Sequence, residues 1–368
     1  MNVLIAPDKF KGSLSAQEVC TALASGLARR YPAASLRCHP LADGGDGTLA
    51  ILRKHLDLQP RPVPSADPLG RPITATYLLG PDNAFIEVAS ASGLVLLNPT
   101  ERNPLNTNTH GTGLLLADAL TRGVQNIFLL LGGSATHDVG TGIATALGFR
   151  FTDEREQAVL PSGGNLQKIR QIHPPAEQPW AEKNIVLLCD VTNPLLGPHG
   201  AAHTYAAQKG AGPKAIESLE AGTRSFSELL AEHYGADIAA LPGGGAAGGI
   251  GAGLSALLGA RLRSGFQTIS ALTHLEAAIA WADHVVTGEG QLDGQSLQGK
   301  VVGGVLDICV QQQKPCSIVV GRNATEGSVQ FPSVVQQVQE IMSLTNQTED
   351  AMRGAARYLG ELGARMVL

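Results

Sequence analysis

The opening of the chain sets the strongest limit on its fold. Asn2–Ala6 is a short apolar run suited to a buried strand. After a polar loop, Ser15-Ala16-Gln17-Glu18 has the form of a capping box and starts a helix that runs to about Arg30. Val19, Leu23 and Leu27 recur on one face of it, and Tyr31-Pro32 ends it. Leu36–Leu41 reads as a second strand, and Asp43-Gly44-Gly45-Asp46-Gly47-Thr48 leads into a second helix. A β-α-β-α opening implies a parallel sheet, because parallel neighbours need a crossover. Such sheets bind ligands at the carboxyl ends of their strands. Lys9, Lys11, Asp43 and Asp46 all fall there.

The texture changes after Leu58. Pro60, Pro62, Pro64, Pro68 and Pro72 crowd one stretch and read as a stiff inter-domain connection. Gly80-Pro81-Asp82-Asn83 between two apolar runs reads as a hairpin. Strands are expected at Asn126–Leu131 and Asn184–Val191, with helices near Thr112–Thr121 and Pro213–Tyr234. From Ala282 the opening pattern returns: strand His284–Thr287, helix Lys300–Gln312, strand Cys316–Gly321 and a helix from about Thr348. The expected fold class is α/β: a Rossmann- or flavodoxin-like parallel-sheet domain from both termini (1–62 with 283–368), with a second α/β domain inserted (63–282).

Charge and composition remove several function classes. With 27 basic and 32 acidic residues the net charge is −5, which leaves no basic footprint for nucleic acid or anionic lipid. The N-terminus lacks the marks of a signal peptide. The uncharged run Ile238–Ala260 holds Pro242 and many glycines, so it reads as a loop opening a helix, not as a membrane span. Five scattered cysteines without CxxC spacing suggest buried free thiols in a reducing cytoplasm. Glycine is in excess, at 44 of 368 residues, and it is clustered. Clustered glycine lets backbone N–H groups approach a phosphate.

Each cluster admits two readings. Lys9 and Lys11, beside a helix start, suit an anion, although solvated lysines are common. Asp43 and Asp46 suit Mg²⁺ or substrate hydroxyls, or one of them caps the helix. Gly132-Gly133-Ser134-Ala135-Thr136-His137-Asp138 joins a strand to a helix as a phosphate loop does. Asp190, after an apolar strand, would take a hydroxyl proton, ligate a metal or merely cap a turn. Gly243, Gly245 and Gly248 fit GxGxxG without the strand and the later acid of a dinucleotide site. Gly294–Lys300 fits GxxxxGK, but Val301 stands where the metal-binding Ser/Thr belongs. Lys300 still opens a helix at the ligand edge.

Taken together, APDKFKGSLSA (6–16), ADGGDGT (42–48), GGSATHD (132–138), CDVTNPLLGPHGAA (189–202), QKGA (208–211), GGAAGGIGAG (244–253) and TGEGQLDGQSLQGK (287–300) resemble the type-1 glycerate kinase family. The resemblance implies ATP- and Mg²⁺-dependent phosphorylation of D-glycerate, most often at the 2-hydroxyl, and an active site in the cleft between a Rossmann-like and an inserted domain. The departures are His137 and Val139 where the family reads Asn and Gly, Asp46 for Glu, and Gln291 for Arg. The expected roles are Asp190 and Lys9 in catalysis, and Lys11, Asp43, Asp46 and Asn193 on substrate. Gly132, Gly133, Ser134, Thr136, Gly244, Gly245 and Lys300 are expected on nucleotide phosphates, and Glu289 and Asp293 on metal. The alternatives are a glycerate 3-kinase, an NAD(P)-dependent hydroxy-acid dehydrogenase or a sugar-acid sensor. Oligomeric state stays open, a homodimer included.

Overall fold

The computed structural model describes residues 1–45, 47–235, 237–294, 296–297, 300–325 and 330–368. In chain order its strands are β1 (Asn2–Ile5), β2 (Ser35–Cys38), β3 (Gln59–Ala66), β4 (Pro72–Leu79), β5 (Asn83–Glu87), β6 (Asn126–Leu130), β7 (Arg150–Thr152), β8 (Gln171–His173), β9 (Asn184–Leu188), β10 (Arg261–Arg263), β11 (His284–Leu292), β12 (Cys316–Asn323) and β13 (Val335–Glu340). They belong to two compact units. One comprises Met1–Asp43, Ala50–Leu56 and Ser264–Leu368; the other comprises Gly44–Leu49 and Asp57–Arg263.

The terminal unit holds a parallel sheet in the order β13-β12-β11-β1-β2. Ile5 of β1 pairs with Val286 on one side and with Cys38 on the other. Alternate side chains leave opposite faces of a strand. Val3 and Ile5 therefore pack with Val19, Leu23, Leu27 and Leu362, whereas Leu4 packs with Leu275, Ile279, Val305 and Ile318. Helices cover both faces. The helix Ala16–Arg30 starts at the expected capping box, with Ser15 N–H donating to Glu18 Oε2 at 2.8 Å. It lies directly on Ala355–Arg365, and a Cβ on Gly26 would sit 2.2 Å from Gly360 O. This unit resumes at Ser264, ahead of the expected boundary at 283, because Phe266, Leu275 and Ile279 share a core with Leu4 and Val285.

The inserted unit holds a sheet in the order β10-β9-β6-β5-β4-β3. β10, β9, β6 and β5 run parallel, and β4 and β3 are antiparallel additions. The expected hairpin joins β4 to β5, with Gly80 N–H donating to Asn83 O at 2.8 Å. The proline-rich stretch is not a connection. Pro60, Pro62 and Pro64 lie in edge strand β3, which pairs with β4 from Gln59↔Leu79 to Ala66↔Pro72. Alternate residues aim their N–H groups at opposite sides, so prolines two apart leave every missing donor on the open side of the sheet.

The Ile238–Ala260 run contains the helix Ala246–Leu258, and among the described residues no helix is long and apolar enough to cross a membrane. The cysteines are not uniformly buried. Cys20, Cys309 and Cys316 are buried, Cys189 is half-buried, and Cys38 is exposed because its strand, β2, is an edge.

Candidate active site

In the terminal unit, parallel pairing continues past the end of β1. Ala6 N–H donates to Val286 O at 2.7 Å and Asp8 N–H to Gly288 O at 2.8 Å, which sets Asp8 beside the stretch that carries Glu289. The glycines of β11 make this possible: a Cβ on Gly288 would meet Val319 O at 1.8 Å, and one on Gly290 would crowd Phe10 and Lys11. Burial pushes the Asp8 carboxyl up to about 7, and Asp43 and Glu289 push the same way against the Lys9 N–H and ammonium. Glu289 is likewise raised to about 7, by burial first, with Asp293 and Asp43 adding and Ser296 and Lys300 opposing. Its Oε1 is buried with no hydrogen-bond partner among the described residues.

Lys9, Asp43, Glu289, Asp293 and Lys300 thus come together with Asp8, whose sequence signal is no more than its place in APDKFKGSLSA. Lys11 stays exposed. Asp46 lies outside the described residues, as do Gln295, Gln298 and Gly299 of the GxxxxGK stretch. Among the described residues no three His, Cys, Asp or Glu groups are placed to hold a metal on their own. Mg²⁺ is commonly held by one or two carboxylates with water and substrate phosphate. The orphan Glu289 oxygen in an all-oxygen donor set fits that pattern.

In the inserted unit, two loops leave neighbouring strands β6 and β9 at their carboxyl ends, and the GGGAAGG segment opens the helix Ala246–Leu258 that leads to β10. The GGSATHD loop follows β6. Gly132 is half-buried and Gly133 exposed; Thr136 Oγ1 has no hydrogen-bond partner among the described residues, and both Ser134 and Thr136 are buried. The fully buried Lys209 ammonium donates to Ser134 Oγ at 2.9 Å and to Thr136 O at 2.7 Å, and burial lowers its pKa to about 7. Asp138 ties the far end: it accepts from Thr109 N–H and Oγ1 at 2.8 Å each and from Gly142 N–H at 3.0 Å. Lys209 was visible only as the lysine of QKGA in an alanine-rich run.

The GGGAAGG segment serves packing. Gly244 N–H donates to Leu241 O and Gly245 N–H to Asn193 O, so neither buried amide is left for a phosphate. A Cβ on Gly248 would lie 2.1 Å from Thr136 O, and one on Gly253 1.8 Å from Val139 O. Two segments therefore meet backbone to backbone, with Ser134 Oγ and the amides of Gly244 and Gly245 hydrogen-bonded in that packing. Val139 itself sits at φ 52, where a β-branched residue is strained. Asp190 is half-buried just beyond β9, the neighbour of β6. Asn193 is engaged within its own loop: it donates to His199 O at 2.8 Å and accepts from Tyr205 Oη at 2.6 Å.

His137 supplies a test of this packing. Burial, with Lys209 adding, lowers its pKa to about 3, and its Nε2 sits 3.1 Å from Thr223 Oγ1. The unfolded chain takes up this proton near pH 6.5 and the native state does not, so stability falls on acidification from about 6.5 toward 3, by ~1.4 kcal/mol per pH unit from this group. Urea unfolding at pH 7 and pH 5 should show a larger loss for the wild type than for His137→Asn. Equal losses would mean that His137 is protonated in the fold.

Each of the two α/β units carries polar side chains and glycine turns at the carboxyl ends of parallel strands, the place where open α/β sheets bind ligands. The glycerate kinase family model matches residues 3–368. Glycerate kinase of Halalkalibacterium halodurans is 40% identical over 87% of this chain and 85% of its own. Glycerate 2-kinase of Escherichia coli K12 is 36% identical over 96% and 94%. The crystal structure of a protein provisionally named glycerate kinase 2, from Salmonella typhimurium LT2, superposes with a TM-score of 0.83 at 38% identity, covering 99% of this chain and 96% of that one. The chain belongs to the glycerate kinase family, and is thereby a kinase.

Proposed function

We propose that the protein transfers the γ-phosphoryl group of ATP to the 2-hydroxyl of D-glycerate and releases 2-phosphoglycerate and ADP. The observation that carries the choice of hydroxyl is the likeness, along nearly the full length of both chains, to a relative named glycerate 2-kinase. The chemistry of the two sheet edges supports it. Phosphoryl transfer asks mainly for positioning and for neutralisation of spread negative charge. Lys9 and Lys300 supply cations at the terminal edge, for the glycerate carboxylate and the phosphate. Asp190 orients the hydroxyl and accepts its proton. Gly132 and Gly133 leave backbone room for a phosphate in the GGSATHD loop, which also carries Ser134 and the unpartnered Thr136 hydroxyl. Asp43, Glu289 and Asp293 would hold Mg²⁺, which when bound offsets phosphate charge.

The GxGxxG stretch gives no support to a dehydrogenase, because its glycines are consumed by loop packing. Phosphorus NMR of the product made from ATP and D-glycerate tests the proposal. Phosphorus on the 2-oxygen couples to a single carbinol proton and gives a doublet. Phosphorus on the 3-oxygen couples to a methylene pair, and a triplet would replace this reading with that of a 3-kinase.

A further inference from the structure

The terminal unit also carries a pair of thiols that the proposed kinase chemistry does not use. Cys38 ends edge strand β2 and is exposed, whereas Cys20 is buried in the helix Ala16–Arg30. Their side chains lie on the same side of the sheet. Cys38 pairs with Ile5, whose side chain packs in one cluster with Val19, Cys20 and Leu23, and paired residues of parallel strands face the same side. Cys20 Sγ donates to Ile5 O at 3.4 Å, and the residue after Cys38 donates its N–H to that same oxygen at 2.8 Å. Both thiols therefore flank the same carbonyl, on the side of β2 that the helix Ala16–Arg30 covers.

A cation completes the setting. Lys54 Nζ, held at 2.5 Å by Gln17 Oε1 one turn before Cys20, favours negative charge at both sulfurs. The Cys20 contact first and Lys54 second draw the Cys38 thiol down to about 7 against the effect of burial, while the same contact and burial push Cys20 up. An exposed thiol beside a lysine is the usual setting of a reactive cysteine, and a neighbouring thiol can resolve its oxidised form. By contrast, Cys189 is half-buried and raised by burial, and Asp190 pushes it the same way.

We propose that Cys38 and Cys20 form a thiol-oxidation site, in which a hydroperoxide oxidises Cys38 and Cys20 then closes a reversible disulfide. In the first step the Cys38 thiolate attacks a peroxide oxygen. An S–O bond forms, the O–O bond breaks, and the leaving alkoxide takes the proton released by Cys38 to become ROH. In the second step the Cys20 sulfur attacks the Cys38 sulfur. The S–S bond forms, the S–O bond breaks, and hydroxide leaves as water with the Cys20 proton. Two thiols and one ROOH thus give one disulfide, one ROH and one water, with sulfur oxidised and peroxide oxygen reduced.

The test treats the full chain with hydrogen peroxide near neutral pH and maps each cysteine by mass spectrometry. Cys38 should react about tenfold or more faster than Cys189. A Cys20–Cys38 crosslink, lighter by two hydrogens and reversed by dithiothreitol, should accumulate. Cys20→Ser should stop at a Cys38 sulfenic acid that dimedone traps, and Lys54→Met should slow Cys38 several-fold. Should Cys20→Ser fold poorly, Cys38→Ser at the exposed position still serves, because it must leave Cys20 reduced. Cys38 reacting no faster than Cys189, or passing to sulfinic acid in the wild type without the crosslink, overturns the proposal.

Discussion

Asp190→Asn should lower kcat for glycerate phosphorylation by ~10²–10⁴, the usual worth of a positioned general base. Asn keeps the size of the side chain and its place beyond β9, where backbone pairing continues as Cys189 N–H donates to Arg263 O at 3.0 Å. The fold should therefore survive, with the melting temperature shifted by no more than a few degrees. KM for ATP should change little, because the lost function is proton acceptance and not phosphate binding. Steady-state kinetics and thermal melts on the same samples decide the matter. Activity within about twofold of wild type would leave Asp190 as a turn cap and move the base elsewhere.

Lys9→Met should cost ~10²–10³ in rate, the scale set by removing one preorganised group at developing charge. Met keeps most of the side-chain length, so the loss reads charge and not packing. A second signature follows from the neighbouring acid. Lys9 helps hold the Asp8 proton affinity down against burial and Asp43. Without Lys9 the Asp8 carboxyl rises further above about 7, so the acid limb of the kcat/KM profile should move to higher pH. A uniform loss of rate with an unmoved limb would show that Lys9 acts on substrate alone, without influence on Asp8.

Local rules were enough for the opening of the terminal unit. The capping box at Ser15–Glu18 and the apolar stripe of Val19, Leu23 and Leu27 placed a helix where it lies, because both are contacts within one turn or one face. Strand β13 carries no such mark: Val335–Glu340 has two valines, three residues apart, among glutamines and a glutamate at a half-buried edge, so neither an apolar run nor alternation picks it out. The prolines of β3 misled for a related reason. Proline forbids an interior strand but not an edge, and edge position is a tertiary fact. At the site, acids and lysines at strand ends were legible from the order of elements. What a glycine does was not. GGGAAGG looks alike whether it receives a phosphate or a neighbouring backbone, and only the approach of Gly248 to Thr136 and of Gly253 to Val139 tells the two apart. The buried Lys209 was hidden likewise, since its partners lie far away in the chain, at Ser134 and Thr136.

The proline edge also governs how copies of this chain meet. An open strand is a template for another molecule's strand, and its invitation is the row of outward N–H donors. β3 has none at Pro60, Pro62 or Pro64, so a sheet cannot run on from one molecule into the next along that margin. Crowded in a cell or concentrated in a tube, the inserted unit is guarded there against fibre-like stacking. Self-association along that margin would have to be built from side chains.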